Sequence, residues 1–234
     1  MKLDVLHCDN HVLALAKPAC LPVVPDASGD PNLLDEAKVW VAREFDKPGA
    51  VFLGVVQRLD RPVSGVTVFA RTSKAAARLS EQFRSGSAAK TYWALSDQRP
   101  GEEHGTCEQW LLKDARTNRV RSVAAGTEGA KRAVTAWRVL AAGTTGTWFE
   151  VRPATGRAHQ IRVALASLGC PILGDLKYGA GAPLGDRSIA LHARRLELQH
   201  PTLQQPLVLE CAPPSATWWA AARSGADGPG PVSR

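Results

Sequence analysis

An α+β fold is predicted, with a mixed, mostly antiparallel central sheet and flanking helices, on three observations. Segments 90–96, 120–124, 132–140 and 147–152 are strand-like and follow one another at meander spacing. Segments 32–45, 72–84 and 156–168 carry apolar residues at helical spacing between recognisable start and stop signals. The chain has 234 residues and is 44% hydrophobic, enough for one large domain or two small ones.

In chain order, residues 2–6 and 11–16 flank an Asp9-Asn10 turn signal and predict a hairpin. Pro31-Asn32 opens a helix to Phe45 whose inner face is Leu33, Leu34, Ala37, Val41 and Phe45. A loop over 48–54 leads to a charged stretch, and 66–70 is β-branched and apolar like a buried strand. Thr72 or Ser73 caps the next helix and Gly86 stops it. After the meander, Gly156 to Leu168 forms a helix with Ile161, Leu165 and Leu168 inward and Gly169 ending it, which leaves Arg162 to point at an adjacent loop. A short helix holding Trp218 and Trp219 completes a single domain over 1–222, and 223–234 is Gly-, Pro- and Ser-rich, the composition of a disordered tail.

Lys and Arg exceed Asp and Glu to give a net charge of +7, a field that favours polyanionic partners. The five cysteines are odd in number and show no Cys-x-x-Cys pair, which argues against a disulfide framework and against a zinc site. No signal peptide and no apolar run of membrane-spanning length is present, so a cytoplasmic protein without a membrane partner is expected.

Two blocks carry the chemistry: Gln57-Arg58-Leu59-Asp60-Arg61-Pro62-Val63-Ser64-Gly65, and Thr155-Gly156-Arg157-Ala158-His159-Gln160-Ile161-Arg162. Together they set one carboxylate among several guanidinium groups. The first resembles the His-Arg-Leu-Asp-x-x-Thr-Ser-Gly motif of the RluA-type pseudouridine synthases, and the second resembles that family's Thr-Gly-Arg-x-His-Gln-Ile-Arg block. Lys17-Pro18-Ala19-Cys20-Leu21, Lys90-Thr91-Tyr92 and the segment Leu168 to Gly179 fall in family order around them. Residues 191–196 and His200-Pro201 resemble the last strand pair. The resemblance covers roughly residues 10–201 and implies the pseudouridine synthase fold. It implies a catalytic domain alone, without the accessory RNA-binding domain that such enzymes often carry ahead of it.

The implied reaction breaks the glycosidic bond of uridine, turns the uracil while it is held, and rejoins it through carbon. It needs no cofactor or metal, only a carboxylate near ribose and base, a dry pocket, and a way to extract the nucleotide from its stack. By resemblance Asp60 is the catalytic carboxylate; whether it attacks the base, attacks the sugar or removes a sugar proton stays open. Arg162 is its expected partner, orienting it through paired hydrogen bonds. Arg58, two positions before Asp60, leaves the same face of an extended loop and by resemblance enters the stack vacated by the flipped base. Tyr92 matches the tyrosine that stacks on the target base, and Val163 stands where an apolar side chain meets the uracil. Arg61, Arg157 and His159 complete the expected RNA contacts, with a hydrogen-bonded structural role the favoured one for His159. Gly156, Gly174 and Gly179 are expected as backbone requirements of tight turns.

Departures from the family pattern are Gln57 for His, Val63 for Thr, Cys20 for Gly, and Ala164 where His often follows. None removes the carboxylate, its arginine or the tyrosine. The alternative function is an RNA-binding chaperone or assembly factor with a degenerate site. A glycosidase-like hydrolase would need a second acid flanking the bond, and Asp175 sits in what reads as a structural turn. A monomer acting on rRNA or tRNA is the expected state and substrate, with the basic stretch 99–131, including Lys113, Arg116, Arg119 and Arg121, either an accessory RNA surface or a solvated hairpin.

Overall fold

A computed structural model describes residues 2–143 and 146–220. The stretch 223–234, expected as a tail, lies outside the described residues, as do Met1, Thr144, Thr145 and residues 221–222.

The chain forms strands β1 (Val5–Cys8), β2 (Val12–Lys17), β3 (Gly54–Val55), β4 (Ser64–Ala70), β5 (Ala89–Ser96), β6 (His104–Asp114), β7 (Arg119–Val123), β8 (Lys131–Gly143), β9 (Gly146–Pro153), β10 (Leu191–Gln199) and β11 (Pro206–Glu210). Helices are α1 (Leu33–Glu44), α2 (Ser73–Ser85) and α3 (Gln160–Ser167), with 3-10 turns at Leu176–Tyr178 and Thr217–Trp219. All strands join one sheet in the order β1-β2-β4-β10-β5-β9-β8-β6-β7, with β3 on β4 and β11 on β10. Only the β4–β10 pairing is parallel among the described strands. The α+β expectation is met.

Local chemistry explains the helix limits. The Asn32 side chain accepts the Asp35 N–H to start α1, Thr72 accepts the Ala75 N–H to start α2, and Gly86 ends α2 in the left-handed region at φ 81°. Phe45, expected inward, caps α1 and is exposed, its ring taking an edge contact from Trp40 and the Arg71 guanidinium at 4.1 Å. His200-Pro201 is not a strand: it forms the β10–β11 turn, where the His200 ring accepts the Thr202 and Leu203 N–H groups. The hairpin strand expected over 2–6 pairs instead as β1, bulged between Val5 and His7.

Insertion of β10 between β4 and β5 places the Asp60 loop against the middle of the sheet. Gly65 lies at φ 122° and a Cβ there would meet the Ala193 carbonyl oxygen at 2.4 Å, so only glycine permits this close approach. Beside it the Ser64 hydroxyl bonds buried His192 Nδ1 at 2.9 Å, and His192 Nε2 donates to the Cys211 carbonyl at 3.0 Å. Trp219 packs edge-on to the same imidazole. The main core fills the space between the sheet, α1 and α3; a second cluster lies under α2. The five cysteines are free, and among the described residues no helix is long and apolar enough to cross a membrane.

Candidate active site

A cavity of about 220 Å³ opens where the loop after β3, the start of β5, and the segment from Pro153 into α3 converge. Asp60, Arg58, Tyr92, Arg157, His159 and Arg162 all line it, so a loop, a strand and a helix remote in sequence supply one surface. Asp60 is the only carboxylate in that lining among the described residues, and the apolar wall includes Leu59, Val63, Phe83, Ile161 and Leu191.

Two expected contact residues lie elsewhere. Val163 is buried with Leu111, Val120 and Ala133, against Tyr178, outside the cavity lining. Successive residues of α3 turn by about 100°, so presenting Ile161 and Arg162 to the cavity carries Val163 past it. Arg61 turns to the 26–30 loop, where it pairs with Asp30 and bonds Ser28 Oγ and the Cys20 carbonyl. Cys20 holds a left-handed φ of 64°, which accounts for glycine in the related motif.

Arg162 is 6% exposed, and Nε and Nη2 of its guanidinium grip the nearly inaccessible Asp175 at 2.7 and 2.8 Å. The remaining nitrogen, Nη1, donates to Asp60 Oδ2 at 3.0 Å. The paired hydrogen bonds expected to Asp60 therefore go to Asp175, and Asp60 receives one. This division leaves Arg162 fixed by a partner that does not face the cavity, and Asp60 held by a group already in place. Burial disfavours charge on Arg162, but hydrogen bonds and charge from Asp175 and Asp60 outweigh it and raise the guanidinium further.

His159, the residue before α3, adopts φ 51°, and its Nε2 stands 3.7 Å from Asp60 Oδ2. Burial pushes its imidazole below the ordinary range, against the pull of Asp60. Its Nδ1 meets the Tyr178 hydroxyl at 2.7 Å, and the face of the Tyr178 ring lies 5.0 Å from the Arg162 guanidinium carbon. Burial, with Asp60 nearby, pushes the Tyr92 phenol up, so Tyr92 stays a neutral aromatic surface at neutral pH. Arg58 and Arg157 are exposed at the rim; the Arg157 Nε donates to the Arg132 carbonyl. Gln160 is buried, accepts from Thr155 Oγ1 and the Arg157 N–H, and donates to the Val134 carbonyl, tying the second motif to β8. Gly174 and Gly179 have positive φ as turns require, whereas Gly156 does not and leaves room for a side chain.

Lys17 is buried with its ammonium on the carbonyls of Pro18, Leu21 and Arg61, and so anchors the loop one residue after Asp60. Sequence reasoning passed over this anchor, the Asp175 grip and Tyr178, although all three residues lie inside the segments it singled out. No group of three metal-ligating side chains able to hold an ion occurs among the described residues.

The model of the RNA pseudouridylate synthase family matches residues 11–167. An uncharacterized RNA pseudouridine synthase of Zymomonas mobilis is 35% identical over 213 residues, 91% of this chain and 94% of the relative. The dual-specificity RNA pseudouridine synthase RluA of Haemophilus influenzae is 34% identical over 201 residues, 85% of this chain and 88% of the relative. Among solved structures, human RNA pseudouridylate synthase domain containing 4 superposes with a TM-score of 0.75 at 27% identity, covering 91% of this chain and 89% of that one.

Proposed function

The chain belongs to the RNA pseudouridylate synthase family and is an RNA pseudouridine synthase, and from that premise we propose that it isomerises uridine in structured rRNA or tRNA with Asp60 as its catalytic carboxylate. One observation carries the reading: the sole carboxylate lining the cavity among the described residues is oriented by a buried arginine that a second, hidden carboxylate holds in place.

On this reading the target uridine leaves its stack and enters the cavity, with Arg58 at the rim filling the vacated space and Tyr92 stacking on the uracil. Stacking on an aromatic ring contributes roughly 1–3 kcal/mol per base, which offsets an unstacking cost of similar size. The N1–C1′ bond breaks, a C5–C1′ bond forms, the C5 proton leaves and N1 takes a proton, so atoms and electrons balance without an external reagent. Asp60 acts at the ribose or the base, Leu59, Ile161 and Leu191 exclude water from the turning uracil, and Arg157 meets phosphate. The enzyme works as a cytoplasmic monomer without cofactor. A hydrolase using paired acids fits less well, because Asp175 is engaged by Arg162 and lies outside the cavity.

The test is pseudouridine mapping of total cellular RNA from strains with the gene intact, deleted, and restored as Asp60→Ala. The expected result is a site that disappears on deletion and stays absent with Asp60→Ala, which also identifies the RNA. A site restored by Asp60→Ala would remove Asp60 from the chemistry. No change in any strain would favour an RNA-binding protein with a degenerate site.

A further inference from the structure

Tyr178 lies outside the cavity lining, yet its hydroxyl stands between the β6–β7 hairpin and the site. The Val120 backbone N–H donates to Tyr178 Oη at 2.8 Å, occupying a lone pair. The hydroxyl has one proton to give, and His159 Nδ1 at 2.7 Å is placed to receive it. An imidazole that accepts at Nδ1 carries its own proton on Nε2, and Nε2 is the atom that faces Asp60 Oδ2. Arg162 donates to that same oxygen, whereas Oδ1 takes no hydrogen bond from the described residues. The two oxygens of Asp60 therefore differ: one receives the Arg162 hydrogen bond and has His159 Nε2 3.7 Å away, and the other receives none from the described residues.

We infer that Tyr178 is a positioning residue for the isomerisation, fixing the His159 tautomer so that an N–H rather than a lone pair faces Asp60 Oδ2 and keeps Oδ1 directed at the bound nucleotide. The inference rests on the reading of Asp60 as the catalytic carboxylate. With the other tautomer, a nitrogen lone pair would face the carboxylate and repel it. The charged groups around the imidazole are Asp60 from the loop, Arg162 on its own helix, Lys177 from the 3-10 turn and Lys113 from β6. Burial is the main force opposing a second proton on the ring, and the three cations add to it against the pull of Asp60, so the neutral ring, in the tautomer chosen by Tyr178, is the form that operates. The anchor is firm on its other side too: Lys177 Nζ holds the Asn118 carbonyl at the hairpin tip, and the Arg119 guanidinium lies 5.8 Å from the Tyr178 ring centre.

Tyr178→Phe keeps the ring behind Arg162 and removes the hydroxyl. Two measurements on the full chain test it. The first is nitrogen-15 NMR of the histidine side chains, with His159→Gln assigning the His159 signal. The wild type should show a single Nε2–H tautomer, and Tyr178→Phe should show mixed tautomers and proton uptake at higher pH, because Nδ1 no longer accepts a donor. The second is single-turnover pseudouridine formation between pH 5 and 9 on total RNA from a strain lacking the gene. Tyr178→Phe should be slower by about tenfold, the effect of roughly one hydrogen bond, with its acid limb moved to higher pH and affinity for the same RNA within about twofold. His159→Ala should be as slow, and His159→Gln, whose amide restores an N–H near Oδ2, should recover most of the rate. That comparison serves as well if Tyr178→Phe does not fold. A Tyr178→Phe protein with wild-type rate and an unchanged His159 spectrum, or equal rates for His159→Gln and His159→Ala, would overturn the inference while an inactive Asp60→Ala left the Asp60 reading standing. An active Asp60→Ala would overturn both.

Discussion

Two arginine–carboxylate pairs in this molecule have nearly the same geometry and opposite surroundings. Arg162 grips Asp175 through Nε and Nη2 at 2.7 and 2.8 Å, with side chains 7% and 1% exposed. Arg132 grips Glu108 through the same two nitrogens at 2.6 and 2.7 Å, with side chains 55% and 52% exposed. The outer pair joins diagonal neighbours across β8 and β6, in water and salt, where such contacts add little. The inner pair has exchanged hydration for each other: losing Arg162 would leave Asp175 charged and unpaired in the interior, and losing Asp175 would leave Arg162 with Asp60 as its remaining carboxylate. Geometry alone does not separate them; burial does, and burial is what turns the inner pair into a fixed mount for Asp60.

The largest effect that would sharpen this contrast is expected from Asp175→Ala. It removes both paired hydrogen bonds from the buried Arg162 and leaves that guanidinium Asp60 alone, and breaking a buried pair from one side destabilises by about 3–5 kcal/mol, a melting midpoint lower by about 10 °C in a chain of this size. Turnover should fall with it, since Arg162 is then free to rotate onto Asp60; an unchanged midpoint would remove the distinction between the two pairs.

An intermediate effect is expected from His192, a buried polar group that stays neutral. Burial pushes its imidazole down to about 4, with the Cys211 carbonyl opposing and Arg194 assisting the shift. The unfolded chain takes up a proton near 6.5 and the folded chain does not until about 4, so stability is full above 6.5 and declines as pH falls towards 4, by up to about 3 kcal/mol. Comparing urea unfolding of wild type and His192→Gln across this window checks it: the variant should lack that part of the decline. The smallest effect is expected from Arg132→Ala, a midpoint shift below about 2 °C that vanishes further in high salt. A shift as large as that of Asp175→Ala would break the comparison from the other side.

What could be read from the sequence follows the same division. Elements whose signals are local were legible: α1 and α2 begin at Asn32 and Thr72 because those side chains cap the next turn, and α2 ends at Gly86 because glycine adopts the left-handed region. β6 was not named, because its alternation of exposed and half-buried residues includes Gly105, Cys107 and Gln109 rather than a β-branched apolar series. α3 starts at Gln160 rather than Gly156, since His159 breaks the helical path with a positive φ. Asp60 and Arg162 were legible as motif members, and their contact spans 102 residues that only the fold closes. Asp175 reads as a turn residue because nothing near it in sequence reveals that its carboxylate meets Arg162, and Val163, expected at the base by resemblance alone, lies outside the cavity because one residue of helical rotation separates cavity from core.

The position of β10 has a consequence for how the molecule comes into being. Ser64 pairs with His192 and Tyr92 with Ala193, so the strand that unites the two halves of the sheet is made more than 90 residues after both neighbours. Closing a loop of that length is slow and entropically unfavourable, and the contacts that compensate for it form only when the last strand arrives. During synthesis from the N-terminus, Asp60 and Tyr92 emerge early but have nothing between them. The surface shared by Asp60 and Tyr92 is therefore incomplete until residues beyond 191 have been made, and assembly of the sheet is the step that completes it.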